Sequence, residues 1–188
     1  MKLSILIPSL TERAELLASL REKLSEQIEI GKFQNQVEVL VLMDDRQKTT
    51  GAKRNELLQM ATGRYITFVD DDDLVSDNYI SLIMEGIEND PDVIGINLTH
   101  YVNGELHGRT IHSLAYNAWT NTPMPDGIWR YERCPNHLNP VKREFALKAG
   151  FPDLTIGEDK DYSMRLRPML FTEHLIKEPI YFYMETSK

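Results

Sequence analysis

Three short apolar runs in the first seventy residues, each ending abruptly in polar residues, leave this chain few ways to fold. The first spans residues 2–8 and closes on Pro8-Ser9; the second, Val37 to Met43, closes on Asp44-Asp45. The third, Tyr65 to Val69, closes on Asp70-Asp71-Asp72-Asp73. Runs this short without polar alternation read as strands buried on both faces. Segments of helical spacing separate them. Residues 11–30 place Leu16, Leu17, Leu20, Leu24 and Ile28 on one stripe, with Thr11 as the expected N-cap and Gly31 as the stop signal. A shorter helix is expected over 52–61, closed by Gly63, and another over 77–88, capped by Ser76 or Asp77. Val93 to Leu98 reads as a fourth strand. Strand and helix in alternation predict a mostly parallel, Rossmann-like α/β sheet flanked by helices. In such sheets ligands gather beyond the carboxyl ends of the strands, which is where all three polar clusters fall.

The second half is patterned differently. Asn103-Gly104 between Tyr101-Val102 and Glu105-Leu106 is a hairpin turn signal. Residues 113–136, rich in Asn, Pro, Tyr and Trp, show little periodicity and are expected to form a long functional loop or lid. Short helices are expected over 143–149, ending at Gly150, and from Glu158 to Arg167, broken by Pro168, with a closing strand over 175–184. The expected organisation is a single domain over 1–188, with a ligand-binding half (1–100) and a second half (101–188) built on a smaller mixed sheet.

Composition narrows the class. A chain of 188 residues suits one ordinary domain, and 21 Lys and Arg against 29 Asp and Glu leave a net charge of −8. That balance disfavours non-specific binding to phosphate backbones. No stretch approaches the ~18 apolar residues of a membrane span. A lone cysteine, Cys134, forms no internal disulfide, and a cytoplasmic location is expected.

Four consecutive carboxylates at the end of a buried strand repel one another and call for a cation. The simplest is a divalent metal with hard oxygen ligands, Mg²⁺ or Mn²⁺. Strand geometry carried through the run puts Asp70 and Asp72 on one side, as the metal-facing pair. A solvated acidic loop, or Asp73 capping the next helix, is the plainer reading of the same residues. A second acidic pair, Glu158-Asp159, follows Gly157 at a helix start, where the dipole favours the ionised form that a general base needs. Ordinary first-turn charge explains that pair equally well when it is taken alone. Lys53, Arg54 and Asn55, at the start of the 52–61 helix, suit an anionic ligand.

Taken together, these motifs resemble glycosyltransferase family 2, whose members have the GT-A fold. The resemblance runs from Lys2 to about Arg167 and rests on five segments in order: Leu6-Ile7-Pro8-Ser9-Leu10-Thr11; Leu42-Met43-Asp44-Asp45; Ala52-Lys53-Arg54-Asn55 through Ala61-Thr62-Gly63; Phe68-Val69-Asp70-Asp71-Asp72-Asp73; and Gly150-Phe151-Pro152-Asp153 leading to Glu158-Asp159. The resemblance implies that Pro8, Ser9, Thr11, Asp44 and Arg54 cradle a nucleotide base and ribose, with Asp45, Lys53, Asn55 and Asp71 also on the nucleotide-sugar side. It implies that Asp70 lies against ribose or metal, and that Asp72 binds the metal on the diphosphate. Asp159 becomes the general base, and Glu158 helps to orient the acceptor. His137, in the segment Cys134 to Glu144, is a candidate contact to diphosphate, metal or donor sugar, or else a hydrogen-bonded structural histidine. Two departures stand out. Arg46-Gln47 replaces the usual Gly-Ser after the second-strand acidic pair, and the chain ends soon after Tyr181-Phe182-Tyr183, where family members often carry a C-terminal extension.

The implied activity is metal-dependent, inverting transfer from a nucleoside-diphosphate sugar, most commonly a UDP-sugar, to an acceptor hydroxyl on a glycan, protein or modified nucleobase. A nucleotidyltransferase would be expected to carry a Gly-rich phosphate loop after the first strand, and Ser9-Leu10-Thr11-Glu12-Arg13 has no glycine. A non-catalytic sugar-nucleotide-binding domain would have no need of Asp159 beside a full acidic run.

Overall fold

The first apolar run forms β1 (Leu3–Leu10), the middle strand of three parallel ones. On one side β2 (Val37–Asp44) pairs in register, Leu3 opposite Val37 and Leu10 opposite Asp44. On the other, β3 (Tyr65–Phe68) sets Leu3 opposite Tyr65 and Leu6 opposite Phe68. The register brings Ser9-Leu10, Asp44 and the acidic run to one edge. This computed structural model describes residues 1–186. Strand β1 sends Leu3, Ile5 and Ile7 into one core and Leu6 into the other, which is why it reads as an unbroken apolar run.

Helix α1 (Ala14–Ile30) covers the first core with Leu17, Leu20 and Leu24. It begins later than expected, because Thr11 opens a 3-10 turn (Thr11–Arg13), and no side chain caps it. Leu16 points outward. Helix α2 (Thr50–Met60) starts earlier than expected: Thr49 Oγ1 caps it by accepting from the Ala52 amide at 3.1 Å. A Cβ at Gly51 would sit 1.9 Å from the carbonyl oxygen of Pro152, so glycine there lets the chain leading to Glu158 press on the start of α2. Helix α3 (Tyr79–Gly86) is not capped by Ser76 or Asp77. Gln27 of α1 reaches over, accepting from the Ile80 amide and donating to the Ser76 carbonyl, both at 2.9 Å. Such a cap, supplied across the fold, leaves no local sequence signal.

The remaining strands extend the same sheet. They are β4 (Leu74–Val75), β5 (Val93–Val102), β6 (Glu105–His112), β7 (Thr120–Pro123), β8 (Trp129–Arg133), β9 (Val141–Lys142) and β10 (Glu173–Glu185). The order is β2-β1-β3-β9-β5-β6-β8-β7, with β10 paired to β4 and β5. The mixed, second-half strands are therefore continuous with the parallel ones. Asn103 and Gly104 make the expected turn, with φ of 50° and 83°. The expected loop over 113–136 instead contains β7 and β8, and β8 runs parallel to β6. Helices α4 (Arg143–Ala149) and α5 (Glu158–Leu166) cover the second core with Ala146, Tyr162 and Leu166 against Phe68. Among the described residues no helix is long and apolar enough to cross a membrane.

Candidate active site

The acidic run divides by direction. Asp71 and Asp73 are each only 3% exposed, and their oxygens are engaged. Asp71 accepts from Ser9 Oγ at 2.6 Å, from Arg13 Nη1 at 2.8 Å and from the Leu10 amide at 3.4 Å. Asp73 accepts from Tyr181 Oη at 2.6 Å and from the Met184 amide at 2.8 Å. Asp71, expected on the nucleotide-sugar side, thus binds the turn to the end of β1. Asp70 and Asp72 face open space. Burial pushes Asp72 above the usual carboxylate range, and its neighbours Asp70 and Asp71 add to this against the pull of Arg13. Burial opposes the charge on Asp70 as well, but Arg54 and His137 overcome it and hold Asp70 well below that range.

The first cavity, about 580 Å³, lies over the ends of β1 to β3. Pro8, Ser9, Lys53, Arg54 and the whole run Asp70 to Asp73 line it, as do Arg13, Arg46 and Gln47. Lys53 is buried and donates to the Ser9 carbonyl and to Asp44 Oδ1, each at 2.8 Å. Asp44 is held low by that lysine and also accepts from the Lys48 amide at 2.8 Å, so it shapes the loop behind the wall. Asp45 is exposed. Asp44 and Asp45 are not in the lining of this cavity, and two more expected contacts also lie elsewhere. Thr11 is exposed on its 3-10 turn and is not part of this wall. Asn55 grips the backbone of Phe151, donating to its carbonyl and accepting from its amide, both at 2.8 Å.

The second cavity, about 480 Å³, opens between α5 and β5, β6 and β8. Asp159 and His137 line it together with His100, Trp119, Tyr131 and Arg133. Arg54, Asp70, Thr155, Glu158 and Tyr183 border both cavities. Arg54 is the strut of this shared wall. It is 3% exposed, donates to Glu158 Oε1 at 2.6 Å and to Asp70 Oδ1 at 2.8 Å, and lies over the rings of Phe68 and Phe151. Burial raises Glu158 in spite of that arginine. Gly157 (φ 84°) turns the chain so that Glu158 points inward and Asp159 follows on the cavity side. His137 Nε2 lies 3.4 Å from Asp70 Oδ2, while its Nδ1 is buried without a partner.

Among the described residues no three His, Cys, Asp or Glu side chains converge on one point, so no all-protein metal cage exists there. Both Asp70 oxygens are engaged by Arg54 and His137, which leaves Asp72 as the carboxylate best placed to take a cation. The donor set fits a Mg²⁺ or Mn²⁺ ion that brings most of its ligands with it, as phosphate oxygens and water do. Arg13 shares Asp72 at 2.8 Å.

Local sequence signals reached Ser9, Lys53, Arg54, Asp70, Asp72, Glu158, Asp159 and His137. They missed Arg13, Tyr181, Tyr183, His112 and Arg133, which come from a 3-10 turn and from later strands where no run of like residues marks a site.

Comparison with known proteins agrees with this architecture. Solved structures of similar shape include Staphylococcus aureus TarS 1-349 in complex with UDP-GlcNAc, with a TM-score of 0.71 and 16% identity over 100% of this chain and 60% of that one. The same fragment in complex with UDP gives 0.69 and 17% over 98% and 60%, and S. aureus TarS gives 0.65 and 16% over 98% and 37%. The chain thus spans at most about 60% of those structures, and at such identity the likeness is one of fold. No curated protein matches. A family model described as "Glycosyl transferase family 2" matches residues 26–145, from within α1 to the start of α4. That range covers most of the chain and includes the acidic run, and the chain belongs to glycosyltransferase family 2.

Proposed function

We propose that this protein transfers a sugar, with inversion, from a nucleoside-diphosphate sugar to an acceptor hydroxyl. The reading is carried by one observation: two cavities share the Arg54–Asp70–Glu158 wall, with Asp72 facing the first and Asp159 the second. The first has the size, strand-end position and cationic lining that a nucleoside diphosphate requires. Arg13, Arg46 and Lys48 line it and are placed to offset phosphate charge. A divalent cation held by Asp72 and the diphosphate would supply electrophilic stabilisation of the leaving group. UDP-GlcNAc is the donor to try first, because a TarS fragment of the same fold was solved with it.

The acceptor enters the second cavity. Its hydroxyl oxygen attacks the anomeric carbon from the face opposite the diphosphate. As the new C–O bond forms, the bond to the diphosphate breaks, and Asp159 takes the hydroxyl proton. Glu158, fixed by Arg54, holds the start of α5 and so the position of Asp159. Residues 1–100 supply most of the donor side and 101–188 most of the acceptor side, in one domain. The lone cysteine suits a reducing, cytoplasmic setting.

A thermal-shift titration with UDP, UDP-GlcNAc and UDP-glucose, with and without Mn²⁺, tests this reading. A ligand that engages only the folded state raises the midpoint by an amount that grows with the logarithm of its concentration relative to Kd. The expected result is a rise with UDP compounds that grows with Mn²⁺, with only the Mn²⁺-dependent part lost in Asp72→Ala. No shift with any nucleotide sugar under either condition removes the donor assignment.

A further inference from the structure

Arg133 is the anomaly of the second cavity. Every other cationic or imidazole side chain that touches a carboxylate there is already spent: Arg54 on Asp70 and Glu158, His137 on Asp70, His100 on Glu185 at 3.0 Å. Arg133 lines the same cavity with no carboxylate in ion-pair distance among the described residues. Its guanidinium is nonetheless held firmly. Nη1 donates to the carbonyls of Thr120 at 2.6 Å and Glu132 at 3.0 Å, and Nη2 to Asn121 Oδ1 at 2.6 Å. The ring centroids of Trp119 and Tyr131 lie 4.9 and 5.2 Å from its central carbon. Trp119 is itself fixed, since its indole N–H donates to Ser163 Oγ of α5 at 3.1 Å. The helix that carries Asp159 therefore also sets the platform on which Arg133 rests.

Those three contacts leave Nε–H and one Nη2–H free. A guanidinium that is immobilised, partly buried and in no direct ion pair, with only the more distant charge of Asp159 on it, has already met the ordering cost of binding an anion. The flanking rings offer faces on which a sugar ring packs. Arg133 and Asp159 border the second cavity and not the first, which places this cation on the acceptor side.

We propose that the acceptor is an acidic glycan unit, and that Arg133, on its Trp119–Tyr131 platform, selects it by binding a carboxylate or phosphate group while Asp159 meets the reacting hydroxyl. This inference rests on the glycosyltransferase reading above.

The test is saturation-transfer NMR on the protein saturated with UDP and diamagnetic Mg²⁺, titrated with glucose, glucuronate and glucose 6-phosphate. Charge-assisted hydrogen bonds are worth roughly tenfold or more in affinity. At least one acidic sugar should bind about tenfold more tightly than glucose, with a preference that weakens as salt rises. Arg133→Met should abolish the preference and Arg133→Lys keep part of it, both keeping the wild-type fold by heteronuclear NMR. The larger of the glucuronate and glucose 6-phosphate advantages names the anion. Equal binding of all three sugars, or a preference that survives Arg133→Met, overturns the proposal. In a second titration, on the UDP-free protein, tighter binding of UDP-glucuronate than UDP-glucose that is lost in Arg133→Met, with no preference among the free sugars, overturns it too by moving Arg133 to the donor. Failure to bind UDP at all sinks the donor assignment instead, whereas UDP binding without anion preference sinks only this inference.

Discussion

The two cavities differ in how they are built. The first is walled by the ends of three adjacent parallel strands and by ions already paired: Lys53 with Asp44, Arg13 with Asp71 and Asp72. The second is walled by aromatic rings and histidines on β5, β6, β8 and β10, brought together by the β5–β6 hairpin and by the longer-range pairings of β8 and β10. A strand-end site follows from topology, so any sequence that makes those three strands acquires it. A site on paired later strands follows from side-chain choice at each position. The family match, residues 26–145, takes in parts of both cavities, so it is this difference in construction, and not the match, that separates them.

The sharpest way to break that division is at Asp159. If the second cavity holds the acceptor and the first the nucleotide, Asp159→Asn removes the base without touching donor contacts. Turnover should fall by ~10²–10⁴-fold, while UDP binding measured by calorimetry stays within about twofold. A comparable loss of UDP affinity would merge the two cavities into one functional unit.

Arg54 tests the wall itself. Replacing it with Met leaves Asp70 and Glu158 facing each other without their shared cation. Removing one partner of a buried ion pair costs about 3–5 kcal/mol. With Arg54 gone both carboxylates favour protonation, so the penalty should be largest near neutral pH and shrink as pH falls towards 5. Chemical denaturation at several pH values measures this. A penalty independent of pH would mean that the pair is not what the arginine supports.

How much of each region was legible in the sequence follows from the same contrast. The three buried strands, the alternating order and the carboxylates at the strand ends were readable, because each is a run of adjacent residues with one periodicity. The direction of the acidic run was readable in part: strand geometry separated Asp70 and Asp72 from Asp71 and Asp73. The arginine that pins Asp71 was not, since Arg13 sits in a 3-10 turn with no pattern of its own. Strand β9 is two residues long and carries no period, yet it separates β3 from β5 in the sheet. Strand β7, Thr-Asn-Thr-Pro, is exposed throughout and resembles a loop. It becomes a strand only because β8 is there to pair with it. Thr11 is expected in the site through the family resemblance, and Asn55 through its place at the start of a helix beside Lys53 and Arg54. The 3-10 turn points one away, and the backbone of Phe151 captures the other.

The acidic run allows a finer comparison within the first cavity. Asp71→Ala strands Ser9 Oγ and leaves Arg13 with Asp72 alone, and Asp73→Ala strands Tyr181 Oη and the Met184 amide. Each should cost about 1–3 kcal/mol for the unpaired buried partners, which lowers Tm by several degrees. Asp72→Ala removes a half-exposed carboxylate already repelled by its neighbours. It should leave Tm nearly unchanged and abolish only the Mn²⁺-dependent part of UDP binding. Equal destabilisation by all three would show that the run acts as one structural unit.

The smallest effect belongs to the second cavity. His112 is 4% exposed, its Nδ1 has no partner, and burial, with His137 and Arg133 nearby, pulls it from 6.5 down to about 3. Its folded state therefore stays neutral where the unfolded chain takes up a proton. The unfolded state binds more protons between those two values, so stability must fall as pH drops below about 6.5. At pH 5.5, one unit below the unfolded value, the loss from this residue is about 1.4 kcal/mol. His112→Asn keeps a polar side chain of similar reach and removes the titration, so its Tm should fall less steeply than wild type between pH 7 and 5.5. The first cavity's carboxylates shift differently: burial pushes Asp73 and Asp72 up, whereas Arg54 and His137 hold Asp70 down. If the wild-type and His112→Asn slopes coincide, the acid sensitivity arises elsewhere and the two cavities do not differ in this respect.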